Sequence, residues 1–437
     1  MIAVKSAAGG DGSMADAAGA AAYDAVVVGG GPVGLALALA LAEALGPSGR
    51  IGVVDPSASG RSQDGSATPS GDGRASALSA ASRRLLDALH VWPALAPYAQ
   101  PVAAVDITDS ALGDLFRPIL VSYDNTVEGG EPATYILENE RLRTALLDAL
   151  PRHPGIDRIG GAVAGWEAAG ERGVVRLADG RRLRSPLVAA ADGRSSALRD
   201  AAGIGVVRWS YGQVGIVAIV THTKPHRGHA VQHFLPAGPF AILPLTEANA
   251  GSHRSCITWT EEASWGRMLV QLDDAAFLEE VETRFGYRLG AIALAGPRGA
   301  WPLEMHLARS FVANRLALVG DAAHLVHPIA GQGLNLGLRD VAALAEVVAD
   351  TARLGLDIGS GLALERYERW RRTDSAMSAA AFDGLNRLFS SDWAALRTVR
   401  DAGLRIVDRL PGLKQLLVSE AAGLTGEVPR LLRGERL

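Results

Sequence analysis

The chain has 437 residues, enough for two or three domains, and 48% of them are hydrophobic, enough for large cores. Its net charge is −4 and its arginines are scattered rather than blocked, so nucleic acid is a poor candidate partner. The single cysteine, Cys256, excludes an intramolecular disulfide and any cysteine-based metal cluster; a cytosolic-side location fits, and the apolar run Cys256-Ile257-Thr258-Trp259 reads as buried packing.

Residues 1–22 are mostly Ala, Gly, Ser and Asp and read as a disordered lead-in. A strand is expected at Ala25-Val26-Val27-Val28. It runs into Gly29-Gly30-Gly31-Pro32-Val33-Gly34, which matches G-x-G-x-x-G at Gly29, Gly31 and Gly34. Leu35 to Leu45 is rich in Ala and Leu without a breaker, a helix, and a second strand from Ile51 to Val54 ends in Asp55. This is the pattern of a dinucleotide-binding βαβ unit. Gly29 makes the turn, Gly31 clears the approach of a pyrophosphate, Gly34 lets helix and strand pack closely, and Asp55 accepts from a ribose. The apolar run from Ala25 to Leu45 has the length of a membrane span, but glycines and a proline interrupt its first third. The chain also begins without a basic-then-apolar signal segment.

Ser57 to Gly73 is Gly/Ser-rich, with Pro69, and reads as a flexible loop and candidate flap. Leu187 to Ala191 is a strand ending at Asp192-Gly193. Val214–Val220, Ala241–Leu245 and Arg254–Thr260 are β-like. His222, His226, His229 and His233 are loosely spaced and broken by Pro225 and Gly228, so no metal is expected there. The apolar run Leu316 to Val319 leads into Gly320-Asp321-Ala322-Ala323-His324, then Pro328, then Gly331-Gln332-Gly333-Leu334-Asn335, where helical spacing begins. Strand, glycine turn and helix amino terminus form a site for a negatively charged or electron-rich ligand. Asp321 also reads as a plain helix cap. An iron triad built on His324 and His327 would need a third ligand, and the turn accounts for both histidines more simply.

From Leu362 to Leu432 the pattern is helical. Leu385, Leu388, Phe389, Trp393, Leu396 and Val399 form a stripe continued by Leu404, Val407, Leu410, Leu413, Leu416, Leu417 and Val418. Arg397, Arg400, Arg405, Arg409 and Lys414 lie between them. Two readings stay open: helices packed on the cofactor domain, or an amphipathic surface facing a membrane or a partner enzyme.

Taken together, the early fingerprint and the late Gly-Asp turn resemble the ubiquinone-biosynthesis hydroxylases, within the aromatic-hydroxylase class of flavoprotein monooxygenases. Further signatures are Gly73-Arg74-Ala75-Ser76-Ala77-Leu78-Ser79 with Ser82 and Leu89-His90-Val91-Trp92, and Tyr135-Ile136-Leu137-Glu138-Asn139 with Leu142, Leu146 and Leu147. Ala191-Asp192-Gly193-Arg194-Ser195-Ser196 with Arg199 and Gly238-Pro239-Phe240-Ala241-Ile242-Leu243-Pro244-Leu245 follow. The most specific is Gly320–His324 with His327-Pro328-Ile329-Ala330-Gly331-Gln332-Gly333-Leu334-Asn335-Leu336-Gly337 and Asp340. The resemblance runs from about residue 23 to about residue 420. Asp55 stands where the family usually has glutamate, and either carboxylate can hold the adenosine ribose.

The resemblance implies an α/β fold: a Rossmann-like FAD-binding domain with an inserted, mostly antiparallel substrate sheet and C-terminal helices. The FAD domain is expected at 23–100, 133–200 and 301–355, the substrate domain at 101–132 and 201–300, and the helical region at 356–437. It implies FAD contacts from Gly29, Gly31, Pro32, Val33, Gly34, Asp55, Arg74, Asn139, Arg143, Asp192, Gly320, Asp321, Gly333, Leu334 and Asn335. Arg199 reads either as part of this site or as a solvated arginine. Pro328, Gly331, Gln332 and Gly333 would position the reactive flavin face, with helix amides toward N1–C2=O. No protein nucleophile is expected, and the base that would deprotonate a phenol is not identified. NAD(P)H would visit transiently, since no second fingerprint appears. The implied reaction hydroxylates a membrane-soluble prenylated phenol with O2 through a flavin C4a-hydroperoxide. The implied setting is cytoplasmic, with peripheral contact on the inner face of the membrane and assembly with other enzymes of the pathway. Rival readings are a FAD-dependent polyprenyl reductase, a hydroxylase of small soluble aromatics and a non-enzymatic flavin-binding scaffold.

Overall fold

The computed structural model describes residues 21–59, 73–109, 112, 118–235, 237–248, 251–328, 331–389 and 410–437. The expected lead-in, apart from 21–22, and most of the Ser57–Gly73 loop lie outside the described residues.

The expected fold class is the one found. A six-stranded sheet runs in the order Val312–Ala313, Leu316–Leu318, Leu187–Ala190, Ala25–Val28, Ile51–Asp55, Ile156–Gly160. All its pairings are parallel except the first. A parallel sheet is covered on both faces, which is why these strands are continuous apolar runs rather than alternating ones. Two helices, Pro32–Leu45 (the first helix) and Gly333–Arg353 (the late helix), pack against each other in the same core. The carboxyl ends of the strands are level: Val28 stands opposite Val54 and Ala190, and Ala190 opposite Leu318. The fingerprint, Asp55, Asp192 and the Gly320-Asp321 turn therefore leave the sheet at one edge, where open α/β sheets bind ligands.

The nine-stranded sheet is mostly antiparallel and contains the three β-like runs of the sequence. Strand Val206–His222 shows why it has two apolar faces. Ile216, Ala218 and Val220 pack with Leu269, Phe277, Val281 and Phe285 of the helices Ala263–Leu269 and Asp274–Phe285. Val217 and Ile219 alternate with them and cluster with Cys256 and with Ala77 and Ile136 of the paired strands Ala75–Ser79 and Thr134–Glu138. Strand Gly299–Ala308 pairs along Val206–His222, so the large sheet extends past the expected boundary at 301. Cys256 is buried with its Sγ 3.7 Å from Gly73 O, and burial pushes its thiol up to about 12.

At the C-terminal end, Gly361–Phe389 (the long helix) and Pro411–Ala421 (the last helix) confirm the helical pattern. The stretch of the stripe from Trp393 to Val407, with Arg397, Arg400, Arg405 and Arg409, lies outside the described residues. Among the described residues no helix is long and apolar enough to cross a membrane.

Candidate active site

The first turn is shaped by close contact. Gly29 has φ +124°, and a Cβ there would lie 2.0 Å from Ala191 O; one on Gly34 would lie 2.0 Å from Gly29 O. Only glycine fits either place. Gly31 differs: a Cβ there would find nothing within 4 Å. Gly31 leads into the first helix with Pro32 in its first turn, and no side chain caps the amides that follow. That leaves open space in front of free N–H donors, as a pyrophosphate requires.

Beside it, the Asp55 carboxylate accepts from Ser57 N at 2.9 Å and Ser57 Oγ at 2.6 Å. Arg143 Nη2 reaches Ser57 Oγ at 3.3 Å, which links Arg143 to this acid. Asn139 opens the helix Asn139–Ala149; its N–H donates to Arg74 O at 3.0 Å and its Oδ1 accepts from Ser76 Oγ at 2.6 Å. Arg74 itself is exposed, its guanidinium 5.0 Å from the centre of the Trp301 ring. Asp192 Oδ2 accepts from Leu198 N at 3.3 Å, while its buried Oδ1 has no protein hydrogen-bond partner.

Asp321 is open to solvent yet closely surrounded, the condition of a group on the floor of a cleft. Desolvation by the surrounding protein raises its carboxyl above the usual range, against the pull of His324, Arg194 and Arg74. Its turn is pinned by three side chains. Gly320 N donates to Asp340 Oδ2 at 2.8 Å, Asp321 O accepts from His306 Nε2 at 2.8 Å, and Ala322 O accepts from Arg199 Nη1 at 3.2 Å. Arg199 is only 2% exposed, which excludes the solvated reading, and Ser196 caps its helix through Arg199 N at 3.0 Å. Burial lowers His306 to about 4, so the ring is neutral and Nε2 carries the proton it donates. Sequence reasoning missed His306, which lies in no motif. Gly320 has φ +63°, and a Cβ there would be 3.1 Å from Val33 Cγ1; one on Gly337 would be 2.7 Å from Val33 Cγ2. Val33 thus seats the first helix in a cradle on the late turn and helix.

The late helix starts without a side-chain cap at Gln332. Gly333 faces open space, and Gly331, at φ +65°, lies over Ala77. Leu334 packs on the main core and Pro328 is half-buried. Ile329 and Ala330 of this motif lie outside the described residues. The Asn335 side chain is committed within the protein. Its Oδ1 accepts from Ser79 N at 3.0 Å and Ser82 Oγ at 2.8 Å; its Nδ2 donates to Ala77 O at 2.8 Å and Gln332 Oε1 at 3.3 Å. It locks the helix start to strand Ala75–Ser79, leaving backbone groups for a ligand.

The early histidines are separately engaged: His222 with Lys224 O and Ser255 Oγ, His226 with Leu245 O, His229 with Asp106 and His233 with Thr108. Among the described residues no group of three such side chains could hold a metal ion.

Residues 22–377 match the FAD binding domain family. The ubiquinone hydroxylase UbiL of Rhodospirillum rubrum is 42% identical over 94% of this chain and 92% of its own length. The chain belongs to the FAD-dependent hydroxylase family of ubiquinone biosynthesis. The 3-demethoxyubiquinol 3-hydroxylase of Escherichia coli is 34% identical over 91% of the chain and 98% of that enzyme. The p-nitrophenol 4-monooxygenase PnpA from Pseudomonas putida superposes with a TM-score of 0.74 over 93% of this chain and 99% of its own, at 20% identity, and so shares the fold. This hydroxylase is a monooxygenase with FAD as its cofactor. The residues present fit that group: Gly31 and Gly333 leave open space, a buried Asp192 carboxylate oxygen has no protein partner, and both helix starts are uncapped.

Proposed function

We propose that this enzyme hydroxylates the aromatic ring of a prenylated phenol in ubiquinone biosynthesis, with NAD(P)H as electron donor and O2 as oxygen source. Bound FAD supplies the redox chemistry, accepting a hydride and activating O2. The chain supplies position, water exclusion and fixed dipoles. Gly31 and the first-helix amides take the pyrophosphate, Asp55 the ribose, and Arg74, Asn139 and Arg143 the phosphate side. Asp192, Gly320 and Asp321 hold the middle of the cofactor. Gly333, Leu334 and Asn335 offer backbone amides to the ring edge where reduction leaves negative charge. Pro328, Gly331 and Gln332 shape the reactive face.

The observation that carries the substrate class is the apolar side of the large sheet. Val217 and Ile219 pack there with Ala77 and Ile136, half-buried Leu243 and Trp301 pack against them, and Ala77 borders the Gly331 turn. Such packing excludes water, and its half-buried margin at Leu243 and Trp301 would accept an aromatic ring with an isoprenoid tail. FAD is assigned to 23–100, 133–200 and 309–355, and the substrate to 101–132 and 201–308, which moves the expected boundary at 301 to the end of strand Gly299–Ala308. A substrate of this kind resides in lipid, so the enzyme is placed on the cytoplasmic face of a membrane, in peripheral contact and alongside other enzymes of the pathway. Exposure of Leu354, Leu356 and Leu362 around the turn between the late and long helices supports such contact.

The test is anaerobic reduction of the holoenzyme by NADPH with and without prenylated phenols, followed by labelled O2 and mass analysis. One labelled oxygen on the prenylated ring is expected. Label only in a short soluble phenol would move the substrate to small aromatics. Reduction of a tail double bond without label would make the enzyme a reductase.

A further inference from the structure

Behind the Gly320-Asp321 turn lies a ladder of charged side chains that alternates in sign, and two of its members come from the long helix. Asp340 is fully buried; its Oδ2 accepts from Gly320 N at 2.8 Å and from His324 Nε2 at 2.7 Å, and its Oδ1 accepts from Arg371 Nε at 2.7 Å. Arg371, only 3% exposed, donates onward through Nη1 to Asp374 Oδ2 at 2.5 Å. Arg339 Nη1 meets the same oxygen at 3.3 Å. Burial opposes ionisation of Asp340, but His324 and Arg371 outweigh it and hold its carboxyl below the ordinary range.

Helix packing alone does not call for this arrangement. Removing a carboxylate and a guanidinium from water is costly, and apolar side chains of similar volume stabilise a helix contact as well or better. What the ladder adds is direction. The Arg371 fork uses one nitrogen on Asp340 and another on Asp374, so Asp374 anchors the guanidinium that holds Asp340 Oδ1. The other oxygen of that carboxylate then holds His324 Nε2 and one backbone N–H, that of Gly320. Gly320 in turn carries the Val33 contact that seats the first helix.

We propose that Arg371, on the long helix, is a positioning residue of the FAD site, which sets the Gly320-Asp321 turn against Val33 through Asp340. The inference rests on the reading of that turn as an FAD contact. It makes the long helix part of the cofactor site rather than only a cover for the core.

The test uses full-length R371M, R371K, D374N, D321A and R366A. FAD dissociation constants, visible circular dichroism of the bound flavin and melting of the apoprotein are measured for each. R371M is expected to weaken FAD at least tenfold and to change the visible dichroism. R371K restores part of the loss, because an ammonium keeps the charge without the fork. D374N, at the half-exposed end of the ladder, acts in the same direction by two- to fivefold. R366A removes only the partly exposed ion pair between Arg366 of the same helix and Asp350 of the late helix, and stays within twofold. A folded R371M with FAD affinity and dichroism within twofold of the parent overturns the proposal, even if it melts lower. Should R371M fail to fold, D374N decides in the same way. If D321A leaves FAD affinity unchanged, the reading of the turn itself fails. If D321A weakens FAD while R371M and D374N do not, that reading stands and the role of Arg371 falls.

Discussion

The two glycine turns at the sheet edge do related work by different means. The turn at Gly29 is held by fit: Gly29 lies against the backbone at Ala191 and Gly34 against Gly29 itself, and no side chain caps the helix behind it. The turn at Gly320 is held by side chains, Asp340, His306 and Arg199, drawn from three separate elements. One is specified by a short continuous stretch of chain. The other is specified by residues spread from Arg199 to Arg371.

The largest effect that would sharpen this contrast is D340A. It strands the Arg371 charge, His324 and the Gly320 N–H in the interior, and a loss of about 3–5 kcal/mol is expected in denaturant unfolding of the apoprotein. A loss below ~1 kcal/mol would show that the late turn, like the early one, stands on backbone fit. G29A comes next, at about 2–3 kcal/mol, because the added Cβ meets Ala191 O and the backbone has positive φ. Its neighbour gives the opposite pattern. G31A points into open space from an extended backbone, φ −76° and ψ 173°, so unfolding changes by less than ~0.5 kcal/mol while FAD retention falls. An unchanged FAD affinity in G31A would remove Gly31 from the pyrophosphate site.

Acidity should also separate the turns. His306 is lowered to about 4 in the folded chain against an ordinary 6.5, so between those values the unfolded chain binds more protons. The stabilisation is present above pH 6.5 and is lost as pH falls toward about 4. Asp321, whose carboxyl is raised, opposes the loss in the acid part of this range. H306Q, which keeps an amide donor near Asp321 O, is expected to flatten the fall in apoprotein stability. A fall as steep as the parent's would place the acid sensitivity elsewhere, with His327, also lowered to about 4, as the next group to replace. The smallest effect is E435A, outside both turns. The Arg433–Glu435 pair is about half exposed on each side, and its loss leaves the denaturant midpoint unchanged.

Legibility in the sequence follows the same division. The first βαβ unit, the strand ending at Asp192 and the Gly320 turn can be read because apolar strand runs and glycines are local signals. The β-like runs of the large sheet are readable too, because the unbroken apolar run Val214–Val220 reports two buried faces. His306 carries no such signal: it sits within a strand, and its role appears only when pairing brings it beside Asp321 O. Asn335 shows the opposite limit. Its motif marks the right place, but whether its amide turns to a ligand or to Ser79, Ser82 and Ala77 depends on tertiary packing. The boundary at 301 shifts because strand Gly299–Ala308 takes its partner from across the chain, at Val206–His222.

Cys256 gives this enzyme an internal clock. Its thiol is the only one in the chain, and it is sealed between the large sheet and the backbone at Gly73. Alkylation requires the thiolate, and burial suppresses that form. The labelling rate of the native chain therefore counts how often the sheet lifts from the strand that follows Arg74. Comparing that rate in apoprotein and holoenzyme would time the breathing of the cleft without introducing a probe.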